Sequence, residues 1–122
     1  MKLGNILYIT RHELCDKQLE QLEMWNVIIH KEQVNSADHV IAIARAHKAS
    51  FIIGVLPIAM VSEIMQKRHV DLKVLRPVMK RIETGKLTST GDKEYSFEFY
   101  SYEEVLKVDI VTKPFSFYAD EN

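Results

Sequence analysis

The chain has little of what would assign it to several familiar protein classes. Its one cysteine, Cys15, has no partner for an internal disulfide, and this indicates a reducing compartment. No apolar run approaches the ~20 residues that a membrane-spanning helix needs. The N-terminus has no signal-peptide core ahead of the charges at Arg11 and Glu13. We therefore expect a cytoplasmic protein without a membrane partner.

The chain also has almost no net charge and lacks the histidine and cysteine spacings of common metal sites. The 16 basic and 17 acidic residues give a net charge of −1, so we do not expect duplex DNA as a partner. The five histidines form no HxH or HExxH pattern, and we predict no metal site. Without a GxGxxG or P-loop sequence, no nucleotide cofactor is indicated either. An anion site in this chain has to be local.

What is present is the composition and periodicity of an α/β domain. The 122 residues are 47% hydrophobic and 27% charged, which is ordinary for a globular protein with a single core. Short apolar runs alternate with amphipathic stretches, and their order predicts right-handed β-α-β units and a parallel sheet. The predicted strands are residues 5–10, 27–29, 51–55 and 72–75, and the predicted helices are 13–25, 37–48 (capped by Asn35-Ser36) and the stretch after Pro57.

The last third of the chain has a different pattern. Residues 86–93 are polar without periodicity, whereas 95–100 and 106–111 alternate apolar and polar side chains. We expect these two segments to form an antiparallel hairpin, with Glu103-Glu104 in a turn; residues 78–83 suit a strand or a helical turn. The aromatic side chains in 95–102 are expected to be core on one face and surface or dimer contact on the other.

The fold prediction that follows is a three-layer Rossmann-like α/β sandwich, with four mainly parallel strands and a C-terminal antiparallel hairpin extension. We assign residues 1–118 to a single α/β domain and residues 119–122 to a disordered tail. The strand orders 2-1-3-4 and 3-2-1-4 both suit this pattern.

The leading site candidate directly follows the first predicted strand. In an open α/β sheet, ligands bind just past the carboxyl ends of strands, where this chain has Thr10-Arg11-His12. Arginine binds phosphate through two hydrogen bonds, a threonine hydroxyl donates one, and histidine moves a proton near neutral pH. The alternative is that His12 caps the first helix and Arg11 lies in solvent.

Three further strand ends extend this candidate site. Gly54-Val55-Leu56-Pro57 turns from the third strand towards a helix, either to let a ligand approach the backbone or for tight packing alone. His30-Lys31 and Arg76 follow the second and fourth predicted strands. If all four strands are parallel, these side chains form one cationic rim suited to a polyanionic small ligand, although lysine and arginine are common in any loop.

The two motifs together resemble those of a known family. Ile9-Thr10-Arg11-His12, followed later by Ile53-Gly54-Val55-Leu56-Pro57, is similar to small stand-alone CRISPR-associated proteins described as ring nucleases. These proteins are related to the Rossmann-like CARF domains that sense cyclic oligoadenylates in type III CRISPR systems. The resemblance covers residues 5–60. The Arg-Gly pair expected in the family's C-terminal part has its nearest counterpart in Arg76-Pro77.

The resemblance implies a homodimer that binds a cyclic oligoadenylate, or a related nucleotide phosphate, in antiviral signalling. Family members that cleave this ligand need no metal, and the residues here leave binding alone and binding with cleavage both open. The implied catalytic residues are Arg11 and His12, and the implied ligand-binding residues are Thr10, His30, Gly54, Leu56, Pro57 and Arg76. The competing hypothesis is a non-enzymatic module that binds a protein partner, through an exposed sheet edge or the aromatic C-terminal strand, or a small anion.

Overall fold

Residues 1–118, which the computed structural model describes, form five strands and three helices. The predicted tail at 119–122 lies outside the described residues. The elements, in chain order, are β1 (Asn5–Ile9), α1 (Asp16–Glu20), β2 (Asn26–His30), α2 (Ala37–Ala46), β3 (Ala49–Gly54), α3 (Ile58–Lys67), β4 (Lys73–Leu87) and β5 (Lys93–Glu104).

All five strands belong to one mixed sheet with the order β2-β1-β3-β4-β5. β1 runs parallel to β2 and β3, β3 runs parallel to β4, and β4 pairs antiparallel with β5. The prediction of an α/β fold with four parallel strands is therefore confirmed, and the arrangement is consistent with a Rossmann-like fold. Of the two strand orders that the sequence allowed, the structure has 2-1-3-4.

The apolar runs are strands because the sheet has a core on each face. Leu7 and Ile9 of β1 lie in one hydrophobic cluster with side chains of α2 and α3. Ile6 and Tyr8 lie in a second cluster with Leu22, which follows α1. Successive side chains of a strand point to opposite faces, so the two clusters lie on opposite sides of β1. A strand covered on both faces has no polar positions, which explains the unbroken apolar sequence.

The first helix is shorter than its periodicity predicts. Only Asp16–Glu20 is helical, whereas residues 13–25 were expected to be. Beyond Glu20 the chain continues as turns, in which Leu22 and Trp25 each donate a backbone hydrogen bond to the residue three positions earlier. This tighter path brings the Trp25 ring against Phe51, with ring centroids 5.0 Å apart. The helical spacing of Leu22 and Trp25 therefore reflects burial rather than a continuous helix.

The predicted hairpin partner is wrong, although an antiparallel extension exists. β4 does not end at Leu75 but continues through Pro77 to Leu87, and β5 pairs with it. Residues 106–111 form no strand. β4 pairs with β3 only as far as Leu75, so one edge of the strand is free at Pro77. A proline without an N–H is tolerated at such a free edge, which is why it does not end the strand.

No helix among the described residues is long and apolar enough to span a membrane.

Ser36 is predicted to stabilise the start of α2. Its hydroxyl accepts a hydrogen bond of 3.1 Å from the backbone N–H of His39. Since the first N–H groups of a helix have no partner within it, Ser36→Ala should lower the free energy of unfolding by ~1 kcal/mol in urea denaturation. Ser36→Asp should keep most of the stability, because its carboxylate accepts the same bond. Equal stability of the wild type and the alanine variant would refute this assignment.

Candidate functional site

The candidate site is an open cleft of about 680 Å³ at the carboxyl ends of β1 and β3. The chain leaves β1 towards β2 on one side, and it leaves β3 towards β4 on the other. A crevice opens where strand connections diverge in this way, and such crevices are the usual ligand sites of open α/β sheets. The cleft is lined by the loop after β1, the end of β2 and the turn between β3 and α3.

Thr10 shapes the loop that carries Arg11 and His12. Its backbone N–H donates to the carbonyl of His30 over 3.1 Å and so ties the end of β1 to the end of β2. Its Oγ1 accepts from the backbone N–H of His12 over 3.1 Å and donates to the His12 carbonyl over 3.2 Å. The Thr10 hydroxyl is thus engaged within the loop, where it fixes the positions of Arg11 and His12.

Arg11 and His12 lie exposed on the wall of the cleft. Arg11 forms no ion pair within residues 1–118, so its guanidinium can bind a carboxylate or a phosphate through two hydrogen bonds. His12 is not a helix cap, because Cys15 is the N-cap of α1. The alternative role considered for His12 is therefore excluded, and its imidazole faces a space that a ligand can enter.

His30 contributes a buried nitrogen beside the cleft. The residue ends β2, and its ring stands at right angles to that of His39 with centroids 6.3 Å apart. Its Nε2 atom is buried and has no hydrogen-bond partner within the described residues. A buried polar atom without a partner costs ~1–3 kcal/mol, so any group that reaches it gains binding energy.

Leu56 and Pro57 line the cleft, whereas Gly54 does not. Gly54 pairs with Ile9 across the sheet, and a Cβ atom added to it would lie 2.9 Å from the Ile9 carbonyl oxygen. Glycine is needed there for strand packing, which is the alternative that the sequence left open. Gly54 acts on the site indirectly, because its contact holds the Thr10 loop beside the Leu56-Pro57 turn.

Arg76 does not belong to this cleft, and the prediction that it shares the rim with Arg11 is wrong. It lies within β4, lines a neighbouring cleft and forms an ion pair with Glu103 of β5. The error arose because Arg76 was assigned to a strand end, and β4 has no end there.

The expected cationic rim is replaced by a mixed one. Among residues 1–118, Arg11 is the one lysine or arginine that lines the cleft, and Glu13 and Glu32 line it as well. Lys80 and Arg81 lie farther along β4, where they stack on the rings of Tyr100 and Tyr95. The site therefore offers one guanidinium, two imidazoles and two carboxylates rather than a uniformly positive surface.

Sequence reasoning missed a polar network beneath the cleft. Gln18 Nε2 donates to the Tyr8 hydroxyl over 3.0 Å, and the Tyr102 hydroxyl lies 3.2 Å from both the Tyr8 hydroxyl and the Gln18 carbonyl oxygen. Tyr8 and Gln18 line the cleft, while Tyr102 comes from β5. The network fastens the start of α1 to β5. Its one sequence signal was a tyrosine within an otherwise aliphatic strand.

Burial raises the pKa of both tyrosines in this network, and for Tyr8 it outweighs the hydrogen bonds, which act in the opposite direction. Burial removes water from the Tyr8 hydroxyl, and this raises its pKa above the ordinary value. Burial also raises the pKa of Tyr102, and the bond to Tyr8 adds to the effect. Both hydroxyls therefore stay protonated in the folded protein under conditions that ionise a solvated tyrosine.

Comparison with known protein families, with characterised proteins and with solved structures finds no significant match.

Stability is predicted to fall as the pH rises above ~10, the ordinary tyrosine pKa. Above that pH the folded chain retains protons on Tyr8 and Tyr102 that the unfolded chain releases, so the free energy of unfolding must decrease. Urea denaturation between pH 8 and 11 measures the slope. Tyr102→Phe should make the slope shallower, since it removes one hydroxyl whose pKa is raised. Tyr100→Phe, which changes an exposed tyrosine, should leave the slope unchanged. Equal slopes for all three proteins would contradict this prediction.

Proposed function

We propose that the chain binds a nucleotide phosphate in the β1/β3 cleft, with a cyclic oligoadenylate of type III CRISPR signalling as the leading candidate. The observation that carries the proposal is the convergence of two separate motifs on one cleft. Arg11 and His12 come from one motif, and Leu56 and Pro57 come from the other. These are the motifs on which the resemblance to ring nucleases rests, and the proposal places the protein in cytoplasmic antiviral defence.

The chemistry of the lining favours a nucleotide over a simple anion. The Arg11 guanidinium suits a phosphate, and the apolar side chains of Leu14, Val34 and Met60 suit the face of a base. Glu13 and Glu32 would repel a bare polyanion, but their carboxylates accept hydrogen bonds from ribose hydroxyls or an adenine amino group. A ligand that carries phosphate and donor groups together uses all of these side chains.

The fold and the size of the cleft support the same proposal. We infer a three-layer Rossmann-like sandwich from the two hydrophobic clusters on opposite faces of β1. The cleft volume of about 680 Å³ lies within the range of pockets for drug-sized ligands. A ring of several nucleotides extends beyond one such cleft, so a second copy of the chain would share its binding. This is the reason to expect a homodimer in the ligand-bound state.

The proposed reaction is an internal transfer that needs no metal or other cofactor. The ribose 2′-oxygen attacks the adjacent phosphorus, the bond from phosphorus to the 5′-oxygen breaks, and the 2′-proton ends on that 5′-oxygen. The product is a linear oligoadenylate with a 2′,3′-cyclic phosphate and a 5′-hydroxyl. Arg11 would stabilise the charge that develops on the phosphate, and His12 would carry the proton.

Ligand binding is predicted to raise the melting temperature, because a ligand that binds only the folded state stabilises it. Thermal shift with cyclic tetra-adenylate, ATP and AMP measures the effect and ranks the three. Arg11→Ala should abolish the shift through loss of the phosphate contact. Arg45→Ala, which removes an exposed arginine from α2 instead, should leave it unchanged.

Two outcomes would count against the binding proposal. No shift with any of the three nucleotides at millimolar concentration would reject a nucleotide ligand. A shift that survives in Arg11→Ala would mean that the ligand binds elsewhere on the chain.

Cleavage is tested separately from binding. Chromatography of cyclic tetra-adenylate after incubation should show a linear product with a 2′,3′-cyclic phosphate, formed equally with and without EDTA. His12→Ala should still shift the melting temperature but form product at least ~10²-fold more slowly, the lower end of what general acid–base catalysis contributes. If cyclic tetra-adenylate binds and no product forms, the chain binds this ligand without cleaving it and acts as a sensor rather than an enzyme.

A second candidate function is a non-enzymatic module that binds a protein partner. It is favoured by one observation, the exposed aromatic side chains of the β4–β5 hairpin, of which Phe97 is 66% exposed. The absence of any nucleotide-induced shift would favour this function.

A further inference from the structure

The β4–β5 hairpin forms an arm that extends beyond the rest of the sheet. β4 pairs with β3 only through Leu75, and from Met79 to Glu98 almost every residue is exposed. An isolated two-stranded hairpin is at best marginally stable in water, because it has no second layer or third strand to cover it. A hairpin arm of this length is therefore expected to be stabilised by a partner that covers it.

The outer edge of β5 is free to accept that partner. β5 is the last strand of the sheet, and within residues 1–118 no backbone hydrogen bond joins residues 93–101 to a segment other than β4. Proteins protect such edges with charged side chains, lysine above all, with proline, with β-bulges or with a very short strand. β5 is 12 residues long, and its stretch from Tyr95 to Phe99, before the irregularity at Tyr100, has Glu98 as its one charged residue and neither lysine nor proline.

We infer that the edge of β5 pairs antiparallel with the same edge of a second copy of the chain, centred on Phe97, to form a continuous ten-stranded sheet. The sequence around Phe97 is nearly symmetric: Tyr95 and Phe99 flank it at two positions, and Ser96 and Glu98 flank it at one. A two-fold axis through Phe97 would therefore place aromatic rings opposite one another on one face and serine opposite glutamate on the other. Such an isologous contact is closed and does not continue into a fibre.

Charge selects this register among its neighbours. With the axis at Phe97, Glu98 lies opposite Ser96 of the second copy and Tyr95 lies opposite Phe99, all within the regular stretch before Tyr100. With the axis at Glu98, that residue would face its own copy. With the axis at Ser96, Glu94 would face Glu98. Like charges directly opposite one another destabilise a sheet, so these alternatives are disfavoured.

The other registers centred on residues 95–99 are disfavoured as well. An axis at Tyr95 would place Asp92 opposite Glu98. An axis at Phe99 would carry the pairing across Tyr100, where β5 departs from a regular register. An axis between two residues is excluded, since it would pair side chains from opposite faces of the sheet. Among the registers from Tyr95 to Phe99, only the one centred on Phe97 pairs aromatic side chains within the regular stretch before Tyr100 and has no opposed like charges.

This contact is a different interface from the one through which two clefts would share a ring ligand, and it is independent of the nucleotide proposal. None of the residues 93–101 lines the β1/β3 cleft, so both clefts stay open when the two edges pair. The dimer should therefore form without any ligand, and its test uses none.

The oligomeric state gives the first test. Sedimentation equilibrium without nucleotide should return twice the chain mass of 14.2 kDa. Phe97→Lys should return the monomer mass, because it places two lysines opposite each other, with the circular dichroism spectrum unchanged since the side chain is 66% exposed. Phe115→Lys, in a ring 76% exposed outside the strand, should remain a dimer. A monomeric wild type, or a dimeric Phe97→Lys, would overturn the inference.

A crosslinking experiment tests the register itself, in a Cys15→Ser background. Directly opposite residues in an antiparallel pair have Cα atoms ~4.5–5.5 Å apart, within the ~4.4–6.8 Å range of a disulfide. Phe97→Cys should therefore form an intermolecular disulfide on mild oxidation. Ser96→Cys alone should not, because its copy lies on the diagonal at ~7–8 Å, whereas Ser96→Cys mixed with Glu98→Cys should. Efficient crosslinking of Ser96→Cys alone would show a different register and refute the Phe97 axis.

Discussion

The close approach of Gly54 to Ile9 is the contact on which the rest of the structure depends. It sets β1 and β3 side by side at their carboxyl ends, where a side chain larger than hydrogen would meet the Ile9 carbonyl. Because the connections diverge at this point, the candidate cleft opens there. Two segments distant in sequence thereby become the two walls of one site.

The charges of the cleft narrow the ligands that it can hold. One guanidinium and two carboxylates belong to a lining that is otherwise largely apolar, so a small polyanion would gain one attraction and meet two repulsions. A nucleotide distributes its phosphate, hydroxyl, amino and apolar groups in a way that matches this mixture. The network of Tyr8, Gln18 and Tyr102 holds the floor beneath these groups in place, and it does so with neutral side chains that add no charge to the site.

The parallel half of the molecule and the β4–β5 hairpin are stabilised in different ways. The parallel half buries its strands on both faces, so its stability comes from the two hydrophobic clusters around β1. The hairpin buries little along its outer part and leaves backbone groups unpaired at the edge of β5. The ion pairs that it forms, such as that between Lys93 and Glu83, are exposed and contribute little to stability. Association is the remaining way in which this arm can bury its aromatic surface.

The sequence by itself determined the four parallel strands, the cap of α2 at Ser36 and the strand-end positions of Arg11, His12, His30, Leu56 and Pro57, because these features depend on local periodicity and chain direction. Only the tertiary structure decided the strand order, the path of β4 through Arg76 and Pro77, and the bond between Tyr8 and Tyr102. A strand ends where its partner ends, and a polar pair forms where two distant segments meet. The end of a strand and the partner of a polar side chain both depend on a second segment, so the local sequence pattern of one segment could not reveal them.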